Sequence, residues 1–284
     1  MAMQNINLTE GMRANLYSLQ QTSRLLEVTQ KRLSTGKRIN SALDDPVSFF
    51  TARTHTQRAA DLSSRKDGMS EAIQTIKAAD TGIESVLDLI ANAKSLASSA
   101  LSGETTAGIN TLAAQFNEVL AQIDFVAADA GYKGINLLDS TAVTHEVKFD
   151  ETGVSKLTIS GFDADSTGAT LSLATVDSGT DGWVSAGGTA DKGDVNSAIT
   201  KLDNAVTALR SEASKLATNL SIVTARQDFT TNMINTLKDG AANLTNADMN
   251  EEGANMLMLQ TRQALGTTSL SLASQAAQGV LRLF

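Results

Sequence analysis

The 284-residue chain has no cysteine, one proline (Pro46) and two histidines, His55 and His145. Without thiols there is no disulfide framework and no thiolate metal site, and two histidines do not make a zinc site of the usual composition. Aromatic residues are 4% of the chain, little for a single thick globular core. There is no basic excess either. The formal net charge is −8, and no basic stripe runs along any segment, which argues against a nucleic-acid partner. No apolar run approaches the roughly 18–20 residues that span a bilayer, so no membrane insertion is expected. The N-terminus, MAMQNINLTEGMRANLYSLQ, lacks the basic stretch and apolar segment of a cleaved secretory signal. A protein of this kind leaves a cell only by a route that reads something else.

Chemistry is equally sparse. There is no phosphate-binding Gly-x4-Gly-Lys-Ser/Thr loop and no Gly-x-Ser-x-Gly elbow. Asp163-Ala-Asp165-Ser-Thr-Gly168 begins like a calcium loop, but its fifth position is Thr167 and its twelfth is Ala174 where a bidentate glutamate is required. An Asp/Gly turn accounts for it. Asp44 and Asp45 are adjacent, so they cannot face each other as an acid–base pair on one helix. The expectation is a protein that is not an enzyme and uses no cofactor.

What the chain has in quantity is heptads. Val195, Ile199, Leu202, Val206, Leu209, Ala213, Leu216, Leu220 and Val223 alternate steps of four and three. Ile109, Leu112, Phe116, Val119, Ile123, Val126 and Ala130 do the same, as do Met69, Ile73, Ile76, Ile83, Leu87, Ile90, Ala97 and Leu101 with Asp80 and Lys94 on their stripe. Near the start, Met12, Leu16, Leu19, Leu26 and Leu33 hold the register, with Ser23 and Gln30 filling the gaps. A mean step of about 3.5 residues is the period of helices that wrap one another. At the other end, Leu270, Ala273, Ala277, Val280 and Phe284 form a bare stripe, with Leu281 beside it, on a segment whose only charged side chain after Gln263 is Arg282.

Helix ends are readable too. Asp45-Pro46 supplies an N-cap and a first-turn proline, and the helix it opens runs to about Leu101, roughly 80 Å at about 1.5 Å per residue. Gly103 and the following Glu-Thr-Thr mark a break, Gly131-Tyr-Lys-Gly134 ends the next helix, and Gly240 divides 194–239 from 246–284. Between 141 and 193 the period falls to two in the runs Val143/Val147/Phe149, Leu157/Ile159 and Leu171/Leu173, which predicts short strands and turns. The expected fold is mainly α: long coiled-coil helices from both termini packed as a rod, with a small β-rich insert in the middle. Helices from both ends can share a seam only if the termini come together.

The stretch QKRLSTGKRINSALDDP, residues 30–46, resembles the Arg-Leu-Ser-Ser/Thr-Gly-x-Arg-Ile-Asn-Ser-Ala-x-Asp-Asp signature of bacterial flagellins, with Arg32, Leu33, Gly36, Arg38, Ile39, Asn40, Asp44 and Asp45 carrying the match. Gly131-Tyr-Lys-Gly-Ile-Asn-Leu-Leu138 and the segment from Asp194 to Phe284 are similar to further parts of that family, in the same order. The Val-Leu-Arg-Leu-Phe ending and the Pro-Val-Ser-Phe-Phe after Asp45 resemble its alphaproteobacterial branch.

The resemblance implies three regions. Residues 1–43 and 244–284 would form a terminal coiled coil inside a filament. Residues 44–140 and 194–243 would form a helical rod, and 141–193 a short variable insert on the outer surface. It also implies a structural subunit that polymerises for swimming motility and is exported unfolded through the flagellar type III system to the extracellular flagellum. Its partners would be further copies of itself, an export chaperone, the filament cap, hook–filament junction proteins and other flagellins in the same filament. Met12, Leu16, Leu19, Leu26, Leu33, Leu270, Ala273, Ala277, Val280, Leu281 and Phe284 are then interface candidates. A Gly/Ser linker in place of 161–192 is expected to leave assembly intact. The alternative is a hook–filament junction protein, which shares the terminal helices. Flagellins detected by the animal Toll-like receptor for flagellin carry an arginine four residues before a Leu-Ala pair and a glutamate nine before an Ile-Asp aspartate. The matching positions here, set by Leu96-Ala97 and Asp124, are Asn92 and Gln115, and both charges are missing.

Overall fold

The structure, a computed structural model, describes residues 10–103, 105–176, 182–184 and 190–281, without the side chains of 277, 280 and 281. Within these the order is α1 (Glu10–Thr35), α2 (Pro46–Leu101), α3 (Thr106–Asp129), β1 (Thr144–Lys148), β2 (Lys156–Ser160), α4 (Lys192–Thr245) and α5 (Met249–Leu281). None of the described helices is long and apolar enough to cross a membrane. The chain divides into two compact units, Met1–Gln57 with Thr236–Phe284 and Arg58–Asn235. The dividing points fall inside α2 and α4, away from the breaks near residues 43 and 244 that separate consecutive helices.

Helix starts and stops follow their local chemistry. Asp45 Oδ1 accepts from the amides of Val47 and Ser48, so α2 opens at Pro46 as its capping pair predicts. Thr105 caps α3, accepting from the Gly108 amide. Gly240 does not divide the last segment: α4 runs through it to Thr245, and the break lies at Asn246–Asp248. A glycine inside a well-packed helix costs only about 1 kcal/mol, which tertiary packing overrides. The new start is fixed by Asp248, whose Oδ1 accepts from the amides of Asn250 at 2.8 Å and Glu251 at 3.3 Å.

In the second unit (Arg58–Asn235), α2, α3 and α4 and the insert share one core. Along α4, Val195, Leu202, Leu209, Leu216 and Val223 are buried at heptad spacing, with Ala205 buried between them, while Ile199, Val206, Ala213 and Leu220 are half-buried beside them. On α3 the deepest seam is Ile109, Ala113, Phe116, Leu120, Ile123 and Ala127, with the expected Leu112, Val119 and Val126 on its flank. On α2 the buried line takes Ala72, Ala79, Val86, Ala93 and Ala100 between Met69, Ile76, Ile83, Ile90 and Ala97. Asp80 is exposed, and Lys94 sits at the edge, paired with Asp203 of α4. Of the expected stripe, Ile73, Leu87 and Leu101 are half-buried on the flank, and Met69, Ile76, Ile83, Ile90 and Ala97 lie on the deepest line. Alanine buries little by itself but lets helix axes approach, and a helix with neighbours on several sides spends its small residues there.

The insert is part of this core. Its two strands pair antiparallel, with Thr144 opposite Ser160 and Val147 opposite Leu157. The third run, Leu171 and Leu173, is buried but makes no strand. Trp183 is 1% exposed, and its ring centroid lies 4.8 Å from that of Phe116. Phe162, Ala164 and Val184 are buried with it. Asn117 of α3 donates to the Val176 carbonyl at 2.6 Å and accepts from its amide at 2.8 Å. Turn composition gives the segment a surface appearance, but its apolar residues complete this core. Asp163 Oδ1 accepts from the Asp165 amide at 3.1 Å, so this stretch is the expected Asp/Gly turn.

Candidate assembly interface

In the first unit, α1 and α5 run antiparallel: Arg32 meets Glu252 near one end, and Leu19 meets Gly266 farther along. The α1 seam is Met12, Leu19, Leu26 and Leu33 alternating with Asn15, Thr22 and Thr29, all buried or half-buried. Leu16, expected on that seam, is exposed, and Ser23 and Gln30 are exposed too. Steps of three and four on either side of Leu19 define two neighbouring lines, and within this chain the more polar one is turned inward. Thr22 satisfies its hydroxyl by donating to the Ser18 carbonyl at 2.9 Å. On α5, Leu259 and Glu252 are buried, and Leu270 and Ala273 are half-buried. The side chains of Ala277, Val280 and Leu281, and the whole of Phe284, lie outside the described residues.

The pair leaves much apolar surface uncovered. Leu257, Leu265 and Leu272 of α5 are 67%, 63% and 62% exposed, and Tyr17, Leu25 and Val28 of α1 are exposed as well. Single exposed leucines are ordinary, but repeated ones along both helices form a surface that water does not favour. A β-carbon on Gly266 would stand 2.7 Å from Leu19 Cδ1, so this glycine permits the approach.

The Arg32–Asp45 segment builds a joint beside this pair. Gly36, at φ +68°, closes α1 in the left-handed conformation, with its amide donating to the Arg32 carbonyl at 2.8 Å. Next, the amides of Arg38 and Ile39 donate to the Thr245 carbonyl at 2.8 and 3.2 Å, and the Ala247 amide donates to the Gly36 carbonyl at 3.0 Å. Arg38 Nη2 also donates to the Leu244 carbonyl at 3.4 Å, and Ile39 is buried. Two helix breaks from opposite ends of the chain are thereby knitted together. Asn40 donates from its side chain to the Lys37 carbonyl at 3.1 Å. Asp44 accepts from the amides of Asn40 and Ser41, each at 2.9 Å, and these bonds hold its carboxyl below the usual range. Asp45 is lowered likewise, first by the Ser48 hydroxyl at 2.7 Å. Both acids are structural.

Arg32 Nη1 reaches Glu252 Oε1 at 2.8 Å, and the Glu252 side chain is 8% exposed. Sequence reasoning singled out Arg32 and missed Glu252. The signal was available in Asp248 followed by Glu251 and Glu252 at a helix start, but assigning the break to Gly240 hid it. Asn92 on α2 and Gln115 on α3, both in the second unit, are exposed helix positions.

Comparison with known proteins points the same way. Residues 6–143 match the family model for the bacterial flagellin N-terminal helical region, and residues 199–284 match that for the C-terminal helical region. Flagellin FljO of Caulobacter vibrioides is 30% identical over 291 residues, covering 100% of both chains. The flagellin of Brucella melitensis is 27% identical over 275 residues, covering 95% of each. A crystal structure of Bacillus cereus flagellin aligns with a TM-score of 0.45 at 18% identity, over 57% of this chain and 88% of that one. With both helical regions matched in order and relatives spanning its whole length, the chain belongs to the bacterial flagellins and is a structural subunit of the flagellar filament.

Proposed function

We propose that this flagellin is exported unfolded through the flagellar type III system and assembles outside the cell. Its partners are an export chaperone, the filament cap, hook–filament junction proteins, further copies of itself and other flagellins in the same filament. Residues 1–43 and 244–284 form the inner coiled coil, 44–140 and 194–243 the rod, and 141–193 the outward insert. The observation that supports the reading is the α1–α5 pair, which holds together yet leaves Leu257, Leu265 and Leu272 largely exposed. A helix pair with that surface gains most by packing against neighbouring subunits, and before assembly its segments are marginal on their own.

Electron microscopy of the concentrated protein tests the reading directly. Long helical filaments are expected, and their loss is expected when Leu281 and Phe284 are both replaced by aspartate with circular dichroism of the rod unchanged. Normal filaments from that double variant remove the C-terminal stripe from the interface. For the host receptor, an asparagine cannot reproduce the planar, multi-donor arginine. Weak activation of reporter cells is expected, with partial recovery on Asn92→Arg plus Gln115→Glu, and full potency of the unmodified chain contradicts it.

A further inference from the structure

Two exposed stripes of the second unit are unlike each other. α3 contains no basic residue, and its face presents Glu118, Gln122, Phe125 and Asp129, all exposed, with Phe125 at 61%. On α4, Ile222, Arg226 and Phe229 follow at steps of four and three, and Phe229 is 55% exposed. Arg226 and Phe229 border a groove of about 160 Å³ whose walls include Leu62, Phe149 and Met233. The Arg226 guanidinium stands 5.3 Å from the Phe149 ring centre, and among the described residues it has no carboxylate partner. The acids of the groove are engaged elsewhere: Glu151 pairs with Arg58 at 2.5 Å, and Asp150 accepts from the Thr152 hydroxyl and the Ser155 amide.

We propose that the α3 stripe of one subunit docks in the α4 groove of the next, with Phe125 against Phe229 and Phe149 and a carboxylate of Glu118 or Asp129 on Arg226. The inference rests on the filament reading and specifies one contact of it. Charge selects the pairing. Two α3 stripes face to face would oppose carboxylates, and two grooves would oppose Arg226 with its own copy. Acid and aromatic on one side, arginine and aromatics on the other, fit only head to tail. Such heterologous contacts produce open helical polymers when they do not close into a ring. An arginine stacked on a ring with its donor fork free is the kind of group that anchors an interface.

The absence of native cysteine makes the test clean. Phe125→Cys and Phe229→Cys in one chain cannot link to each other within that chain. Ala130, just past the end of α3, packs on Gly82 of α2, whereas Gln227 donates to Ser70. These levels differ by roughly 18 Å along α2 at about 1.5 Å per residue, and a disulfide requires Cα atoms within about 7 Å. Oxidised filaments of the double variant should give a ladder of covalent oligomers, dilute monomer should give none, and mixed single variants should stop at dimers. Arg226→Glu should slow elongation by about tenfold, the scale of an opposed charge at an interface, and Glu118→Lys with Asp129→Lys should restore it. Filaments that form without cross-linking, or elongate normally with Arg226→Glu, overturn this contact and leave the filament reading standing. Absence of filaments from the unmodified chain overturns both.

Discussion

Val86, Ile90 and Leu209 in the second unit have no exposed surface, whereas the least exposed apolar side chain of α1, Met12, keeps 9% and Leu265 of α5 keeps 63%. Both regions are helices with apolar residues at heptad spacing. The difference lies in who supplies the covering. In the second unit α3, α4 and the insert cover α2 from within the same chain. In the first unit α1 and α5 have mainly each other, and a pair of helices can bury only one line apiece. The same sequence pattern therefore serves a finished core in one place and an unfinished surface in the other.

The sharpest way to break this contrast is to damage the finished core. Trp183→Ala should cost about 3–5 kcal/mol in urea unfolding followed by circular dichroism, the usual penalty for emptying a fully buried large site. Replacing 161–192 with a Gly/Ser linker removes Phe162, Leu171 and Leu173 as well as Trp183, and should cost more than the single change. Electron microscopy of the linker variant checks the separate expectation that the segment is dispensable for assembly. Stability unchanged in both variants would mean that the insert decorates the rod.

A smaller effect probes the unfinished pair. Gly266→Ala should be nearly neutral, because the helix propensity gained, about 1 kcal/mol, offsets a shift of the flexible end of Leu19. Gly266→Val adds methyl groups without that compensation, so it should weaken α1–α5 packing and raise the protein concentration at which filaments appear. Urea unfolding of the second unit should not change. Equal assembly by both variants would show that the helices do not need this close approach.

The smallest effect separates the regions by pH. His145 is half-buried in β1, and its Nε2 has no hydrogen-bond partner among the described residues; burial lowers its pKa from 6.5. The folded form binds its proton less well than the unfolded chain. Stability of the second unit is therefore complete above 6.5 and falls as pH drops below that value toward the depressed one. Asp44 and Asp45 in the first unit are lowered from 3.8, so their contribution is present above 3.8 and is lost only as pH falls below it. His145→Gln should abolish the slope just below 6.5 in thermal melts. A slope that persists would assign it to another group.

Much of the architecture was legible because it is local. The Asp45-Pro46 start, the Gly103 and Gly131 breaks and the switch to a period of two near residue 143 rest on neighbours in the chain. The deeper layer was not. Whether Ile73 or Ala72 faces the seam depends on how many helices crowd α2, and one-dimensional periodicity weights size over fit. The joint was half legible: Gly36, Asp44 and Asp45 announce a turn, but their pairing with Thr245 and Ala247 spans the length of the chain. Trp183 stands alone among glycine, serine and threonine in the sequence, and nothing near it there points to Phe116.

The central claim is that neighbouring subunits complete the α1–α5 pair while the second unit is complete in each chain. Hydrogen exchange of backbone amides, read by mass spectrometry in dilute monomer and in filaments, tests it most directly. Amides of 10–35 and 249–281 should exchange quickly in monomer and slowly in filaments, while those of 69–100 and 195–223 should be slow in both. Equal, slow exchange of α5 and α4 in the monomer would contradict the account.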